Sequence, residues 1–130
     1  MASRIKAIHA LRPRIKLGPT VQTEQLANFI AGRTSLNMSE IMLVLRELHE
    51  AIIFYGQSGR GVKLERLGTY LPNLRLDGTL DVHHRQDPHL KVGLNQDIFE
   101  GTIINRPNIG KSAEELVALW NEAHPEDPVA

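Results

Sequence analysis

Between Ile41 and Tyr55 only Arg46, Glu47, His49 and Glu50 interrupt an apolar run. The run is far longer than an ordinary strand of about 5–6 residues, so it reads as a helix. Ile41, Leu45, Leu48, Ile52 and Tyr55 recur at helical spacing and form one stripe. Met42, Leu43, Val44, Ile53 and Phe54 widen that stripe beyond what one small sheet or helix covers. Two readings stay open on the residues alone. The excess is either a subunit interface, since apolar patches of this extent are uncommon on monomers, or the surface of a helix buried centrally in a monomer. The 130 residues, 42% hydrophobic, fit one compact domain with short appendages. The absence of cysteine excludes disulfides, cysteine-zinc fingers and thiol catalysis, and suits a reducing cytoplasm. No apolar run approaches the roughly 20 residues that span a bilayer, and "MASRIKAIHALRPRIK" lacks the core of a secretion signal. A soluble, unprocessed chain is expected.

The flanks of the long helix set its neighbours. "TVQTEQLANFIAGRTSL" places Leu26, Phe29 and Ile30 at helical spacing, which predicts a first helix over residues 24–33 with Thr20 or Thr23 as cap. Asn37 or Ser39 caps the long helix. Gly56 and Gly59 stop it, and "RGVKLERLGTYLPNLRL" returns as strands around a turn near residues 66–68, with Val62, Leu64 and Tyr70 inward. Asp77-Gly78 predicts a tight primed hairpin turn with both central residues at positive φ, after which "TLDVHHRQDPHLKVGL" comes back antiparallel. "RIKAIHALRPRIKLG" alternates like a short strand or extended arm ending at Gly18-Pro19. "NQDIFEGTIIN" is expected as a short helix capped by Asn95. "KSAEELVALWNEAHPEDP" is expected as a last helix with a Ser112–Glu115 capping box, an apolar stripe of Leu116, Leu119 and Trp120, and Pro125 at its end, exposed as an acidic appendage.

Net charge is zero, but its distribution is uneven. Residues 1–21 carry Arg4, Lys6, Arg12, Arg14 and Lys16 and no acid. Residues 92–130 carry seven acids against Arg106 and Lys111. Either the two ends contact each other or are simply solvated, or the basic end meets a polyanion such as nucleic acid.

The order of helix, turn, longer helix, glycine-containing turn, strand pair and ribbon resembles the HU and integration host factor family of DNA-binding proteins. The resemblance is best over residues 21–76. There "TEQLANFIAGRTSLNMSEIMLVLRELHEAII" looks like the family's two helices, and "GVKLERLGTY" like its V-x-L-x-G-F-G-x-F strand turn. Gly68 and Tyr70 stand at the last glycine and aromatic of that pattern, and Arg66 replaces its first glycine. The resemblance implies an α+β fold of two N-terminal helices and a three-stranded antiparallel sheet with a shortened ribbon arm. An additional C-terminal helix follows, and two copies intertwine as a homodimer. The expected organisation is a basic extension over 1–20, an HU-like domain over 21–105 and an acidic helical extension over 106–130.

It also implies a non-sequence-specific, histone-like, nucleoid-associated DNA-binding protein of bacterial type, with duplex DNA as partner, no small-molecule substrate, no membrane and no cofactor. Such ribbons enter the minor groove, often with a proline between base steps. Here the Arg-Asn-Pro wedge is missing from the arm tip, and residues 60–91 hold six cations against four acids. Bending is therefore expected to be weak or absent, and Pro88 reads as an ordinary loop proline. The candidate DNA-binding residues are Arg75, Arg85 and Lys91 with His83, His84 and His89 on the ribbon, and Arg4, Arg12, Arg14 and Lys16 before it.

Other chemistry finds no footing. His83 and His84 are adjacent on a strand and so point to opposite faces, which disfavours one metal ion between them. "GQSGRG" lies between a helix and a strand, the reverse of a phosphate-cradling loop, and no nucleophile or dinucleotide motif is present. No enzymatic role is expected. The alternative to DNA binding is a protein-interaction module that keeps the dimeric fold without nucleic-acid affinity. A winged-helix monomer reading from the helix over residues 39–55 would need a polar, basic surface that this helix lacks.

Overall fold

The computed structural model describes all 130 residues, which divide into two compact units: Met1–Pro19 with Glu100–Ala130, and Thr20–Phe99.

The terminal unit begins with α1 (Arg4–Leu11), where a strand or arm was expected. Ser3 caps it by accepting the Lys6 amide at 3.1 Å. The side chain that decides is Ala7, fully buried against Trp120, while Ile5 points outward. The apparent two-residue alternation therefore does not describe what is buried. Pro13 ends the helix by holding Arg12 extended at ψ 147°. β1 (Arg14–Lys16) follows and pairs antiparallel with β5 (Thr102–Ile104). After a 3-10 turn at Arg106–Asn108 comes α5 (Ala113–Ala123), capped by Ser112, whose hydroxyl accepts the Glu115 amide at 3.2 Å.

α5 is no exposed appendage. Leu116 and Trp120 are 4% and 6% exposed, and the helix packs on α1. The Trp120 indole donates to the Asp127 carbonyl at 2.8 Å and stacks on His124 with centroids 3.8 Å apart. The segments expected as two separate extensions thus form one unit, together with residues 100–105, expected in the central domain.

The central unit opens with α2 (Thr23–Ala31). Its N-cap is Gln22, which makes no side-chain capping bond, so neither expected threonine serves. α3 (Met38–Gly56) is capped reciprocally: Asn37 Oδ1 accepts the Glu40 amide at 2.9 Å, and Asn37 Nδ2 donates to the Glu40 carboxylate at 2.7 Å. Along α3, Ile41 is buried, and Leu45, Leu48 and Ile52 are half-buried on the expected stripe. Leu43, Val44 and Phe54 remain 58%, 54% and 68% exposed.

The three-stranded sheet has the order β2 (Val62–Leu64), β3 (Gly68–Leu74), β4 (Leu80–Gln86), all antiparallel. Arg66 adopts φ 68° in the β2–β3 turn, the left-handed conformation that a glycine would supply without strain. The hairpin turn differs from the expected primed type. Only Gly78 has positive φ (88°). The Gly78 amide donates to the Arg75 carbonyl and the Arg75 amide to the Thr79 carbonyl, the three-residue loop with a glycine bulge.

β4 ends at Gln86 and gives way to α4 (Pro88–Leu94), so the ribbon stops short of His89 and Lys91. Asp87 caps α4 and Pro88 occupies its first turn, where the missing N–H costs nothing. Pro88 is thus a helix-start residue rather than a loop proline. The helix expected over "NQDIFEGTIIN" does not form, and its end supplies β5 instead.

Candidate nucleic-acid interface

The ladder of β2, β3 and β4 sorts the side chains onto two faces. One face carries Val62, Tyr70 and His84 in a row, then Pro72 with Val82 and Leu74 with Leu80. This apolar face opens onto a groove of about 240 Å³, lined by Ile52, Ile53, Pro72, Leu80 and Val82 among others. The opposite face carries Lys63, Thr69 and Arg85 in one cross-strand row, then Leu71 with His83, then Asn73 with Asp81.

The polar face brings Arg85 and His83 together, as the sequence implied, and adds Lys63, which sequence reasoning missed. The signal that could have found it is the alternation of β2, which with Val62 and Leu64 inward turns Lys63 outward; its pairing with Thr69 then sets it in the row with Arg85. Lys63, His83 and Arg85 are exposed, and none of the three forms an ion pair in the structure. His84 belongs to the other face, its ring tilted against Tyr70 with centroids 4.7 Å apart.

Arg75 is at the ribbon tip, where its Nε donates to Asp81 Oδ2 at 2.7 Å. That bond, with a second from Asn73, holds the Asp81 carboxyl below its ordinary range. His89 and Lys91 lie on α4, off the ribbon. The Asp87 carboxyl accepts the His89 amide at 2.8 Å and faces the His89 ring, and these bonds keep it ionised below its usual range.

The amino-terminal candidates lie in the terminal unit. Arg4 Nη2 donates to Glu114 at 2.7 Å, and Lys6 Nζ stands 3.5 Å from Asp127. The basic start and the acidic end therefore do meet in these pairs. Arg12 caps α1, and Arg14 and Lys16 occupy β1, all exposed.

Chemically, the polar sheet face offers two fixed cations, a hydroxyl and an imidazole without a concave pocket around them. That arrangement suits a large, flat or ridged anion better than a small substrate. No helix is long and apolar enough to cross a membrane.

A family model described as an HU domain fused to a winged helix-turn-helix, immunoglobulin or glycine-rich motif matches residues 5–93. No curated protein and no solved structure matched the chain.

Proposed function

The chain belongs to the HU-HIG family of HU domains, and from that premise we propose that it binds duplex DNA as a homodimer, without base-specific readout, as a nucleoid-associated architectural protein. The observation that carries the reading is the row Lys63–Thr69–Arg85 with His83 beside it, an exposed cationic strip on an antiparallel ribbon. Two strand cations and a hydroxyl recognise phosphate oxygens, and affinity then comes from counterion release rather than from base edges. Bending by intercalation is not part of the proposal. The ribbon tip carries Leu76, Asp77 and Gly78 rather than a proline, and Arg75 is held by Asp81.

Dimerisation is supported by the central unit's small interior. Ala27 and Ile41 are its buried apolar residues, whereas Leu43, Val44, Phe54 and the sheet's Leu74, Leu80 and Val82 are all more than half exposed. A second copy burying these surfaces would supply the missing core.

A second reading has one observation in its favour: Arg4, Lys6 and Arg75 are already paired with carboxylates, which lowers the positive charge on offer. On that reading the dimer is a protein-interaction module. The test is a titration of a fluorescent duplex of about 30 base pairs at two salt concentrations. Sequence-independent binding that weakens steeply with salt supports the DNA reading. No binding at low salt by a verified dimer rejects it in favour of the interaction module.

A further inference from the structure

Charge within the terminal unit is sorted by element. The α1–α5 half is net acidic, with Glu114, Glu115, Glu122, Glu126 and Asp127 against Arg4 and Lys6, and both cations are paired there, Arg4 with Glu114 and Lys6 with Asp127. The β1–β5 half holds no acid over residues 12–19 or 101–111, with Glu100 at its edge as the one acid beside Arg12, Arg14, Lys16, Arg106 and Lys111. Lys111 forms no ion pair but lines a shallow hollow with Glu115 and Glu122, at the acidic side of the unit, and is left out of the cluster. The other four are exposed and make no ion pair.

The backbone holds these four in a defined arrangement. Arg14 pairs with Ile104 and Lys16 with Thr102, which puts both cations on one face of the two-stranded sheet with no carboxylate opposite. Asn105 Nδ2 donates to the Ala10 and Arg12 carbonyls at 2.8 and 3.1 Å, and Asn108 Nδ2 to the Leu11 carbonyl at 2.7 Å. These bonds clamp the segment bearing Arg106 against the one bearing Arg12.

We infer that Arg12, Arg14, Lys16 and Arg106 form a second phosphate-binding surface for duplex DNA, distinct from the ribbon of the HU-like sheet. The inference rests on the DNA-binding reading and assigns that binding a further site. Cations two residues apart on a strand stand roughly 6.6 Å apart, far enough for each to meet its own phosphate on a duplex. A lipid surface fits less well. Ile104, the partner of Arg14, is the one apolar side chain on the cation face and is half-buried, while Ile15 and Ile103 take the other face, so the cation face offers little apolar area for a bilayer to cover. The acidic C-terminal segment has a defined part in this arrangement: Glu114 on α5 occupies Arg4 and Asp127 beyond it occupies Lys6, which confines the free positive charge to the strand side.

The test uses the full chain and a duplex of about 30 base pairs, comparing wild type with Arg12→Gln/Arg14→Gln/Lys16→Gln/Arg106→Gln and with Lys63→Gln/Arg85→Gln. Trp120 fluorescence verifies that the terminal unit is folded in each. Four lost phosphate contacts lower the slope of log K against log salt by about 3–4, and the two ribbon contacts lower it by about 2. Lys16→Gln alone, at an exposed side chain that forms no ion pair, lowers it by about 1 and guards against a folding defect in the quadruple variant. A quadruple-variant slope equal to wild type, with the ribbon variant reduced, overturns the second surface and leaves the DNA-binding function standing. Loss of binding to anionic phospholipid vesicles with DNA binding intact also overturns it. A wild-type chain that fails to bind duplex at low salt removes the function and this surface together.

Discussion

Gly68 lies so close to the carbonyl of Arg85 that a Cβ built on it would overlap the oxygen, and its φ of 144° is one that side-chain-bearing residues rarely adopt. The contact is backbone against backbone, so no side chain can move aside. Gly68→Ala is expected to destabilise the central unit by about 1–3 kcal/mol from conformation alone, with the overlap adding to it. Arg66→Gly, two residues earlier at φ 68°, is expected to be neutral or stabilising by about 0.5–1 kcal/mol. Urea unfolding of both variants checks the pair. Equal destabilisation by the two would contradict the assignment of strain to these positions.

The contrast between Arg66 and Gly68 also marks what the sequence made legible. A turn there, the Asn37 cap, the Ser112–Glu115 box and the α3 stripe were all readable, because each depends on residues within a turn or two of one another. α1 was not, since Ala7 is decided by Trp120, more than a hundred residues away in the chain. β5 was missed for the same reason: its partner β1 is distant, and no local pattern in "GTIIN" records it. At the candidate site the residue types and the alternation within each strand were legible, but which strands share a face was not: the pairing sets His84 beside Tyr70 on the apolar face and Lys63 beside Arg85 on the polar one.

Lys63 and Arg85 flank Thr69 across three strands, so each is expected to meet its own phosphate oxygen. Lys63→Gln and Arg85→Gln should each lower the salt slope of duplex binding by about 0.9, without altering any sequence preference. His84→Gln, on the apolar face, should leave the slope unchanged. Titrations over a series of salt concentrations read all three. A His84 effect as large as that of Arg85 would mean that the wrong face has been assigned to DNA.

Phe54 and Leu43 lie on α3 with most of their surface exposed, although the helix around them carries the central unit's core. If a second copy covers them, a tenfold increase in protein concentration stabilises the folded state by about 1.4 kcal/mol. Phe54→Glu and Leu43→Glu should each shift the chain from dimer to monomer in sedimentation and abolish that concentration dependence. A wild-type chain that sediments as a monomer at every concentration would refute the interface.

Arg4 and Glu114 tie α1 to α5, and the guanidinium hydrogen bond is the largest of the causes that hold the Glu114 carboxyl below its ordinary value of 4.5. In the unfolded chain the group titrates near that ordinary value. A folded-state value depressed in this way contributes stability that is complete above pH 4.5 and is lost as pH falls below it through the folded value. Arg4→Gln removes the cause, so the variant should be less stable than wild type near neutral pH and should match it in strong acid, where Glu114 is protonated in both. Both side chains are well exposed, so the gap near neutral pH is expected to be small and to shrink with added salt. Trp120 is the only tryptophan and is buried between α5 and α1, so its fluorescence reports the unfolding of this unit directly. Urea midpoints at about pH 7 and at a descending series of acid pH values, until wild type and variant converge or fail to, would decide the matter. A gap between variant and wild type that persists unchanged into acid would show that Arg4 stabilises the helix pair through its aliphatic stem rather than through its charge.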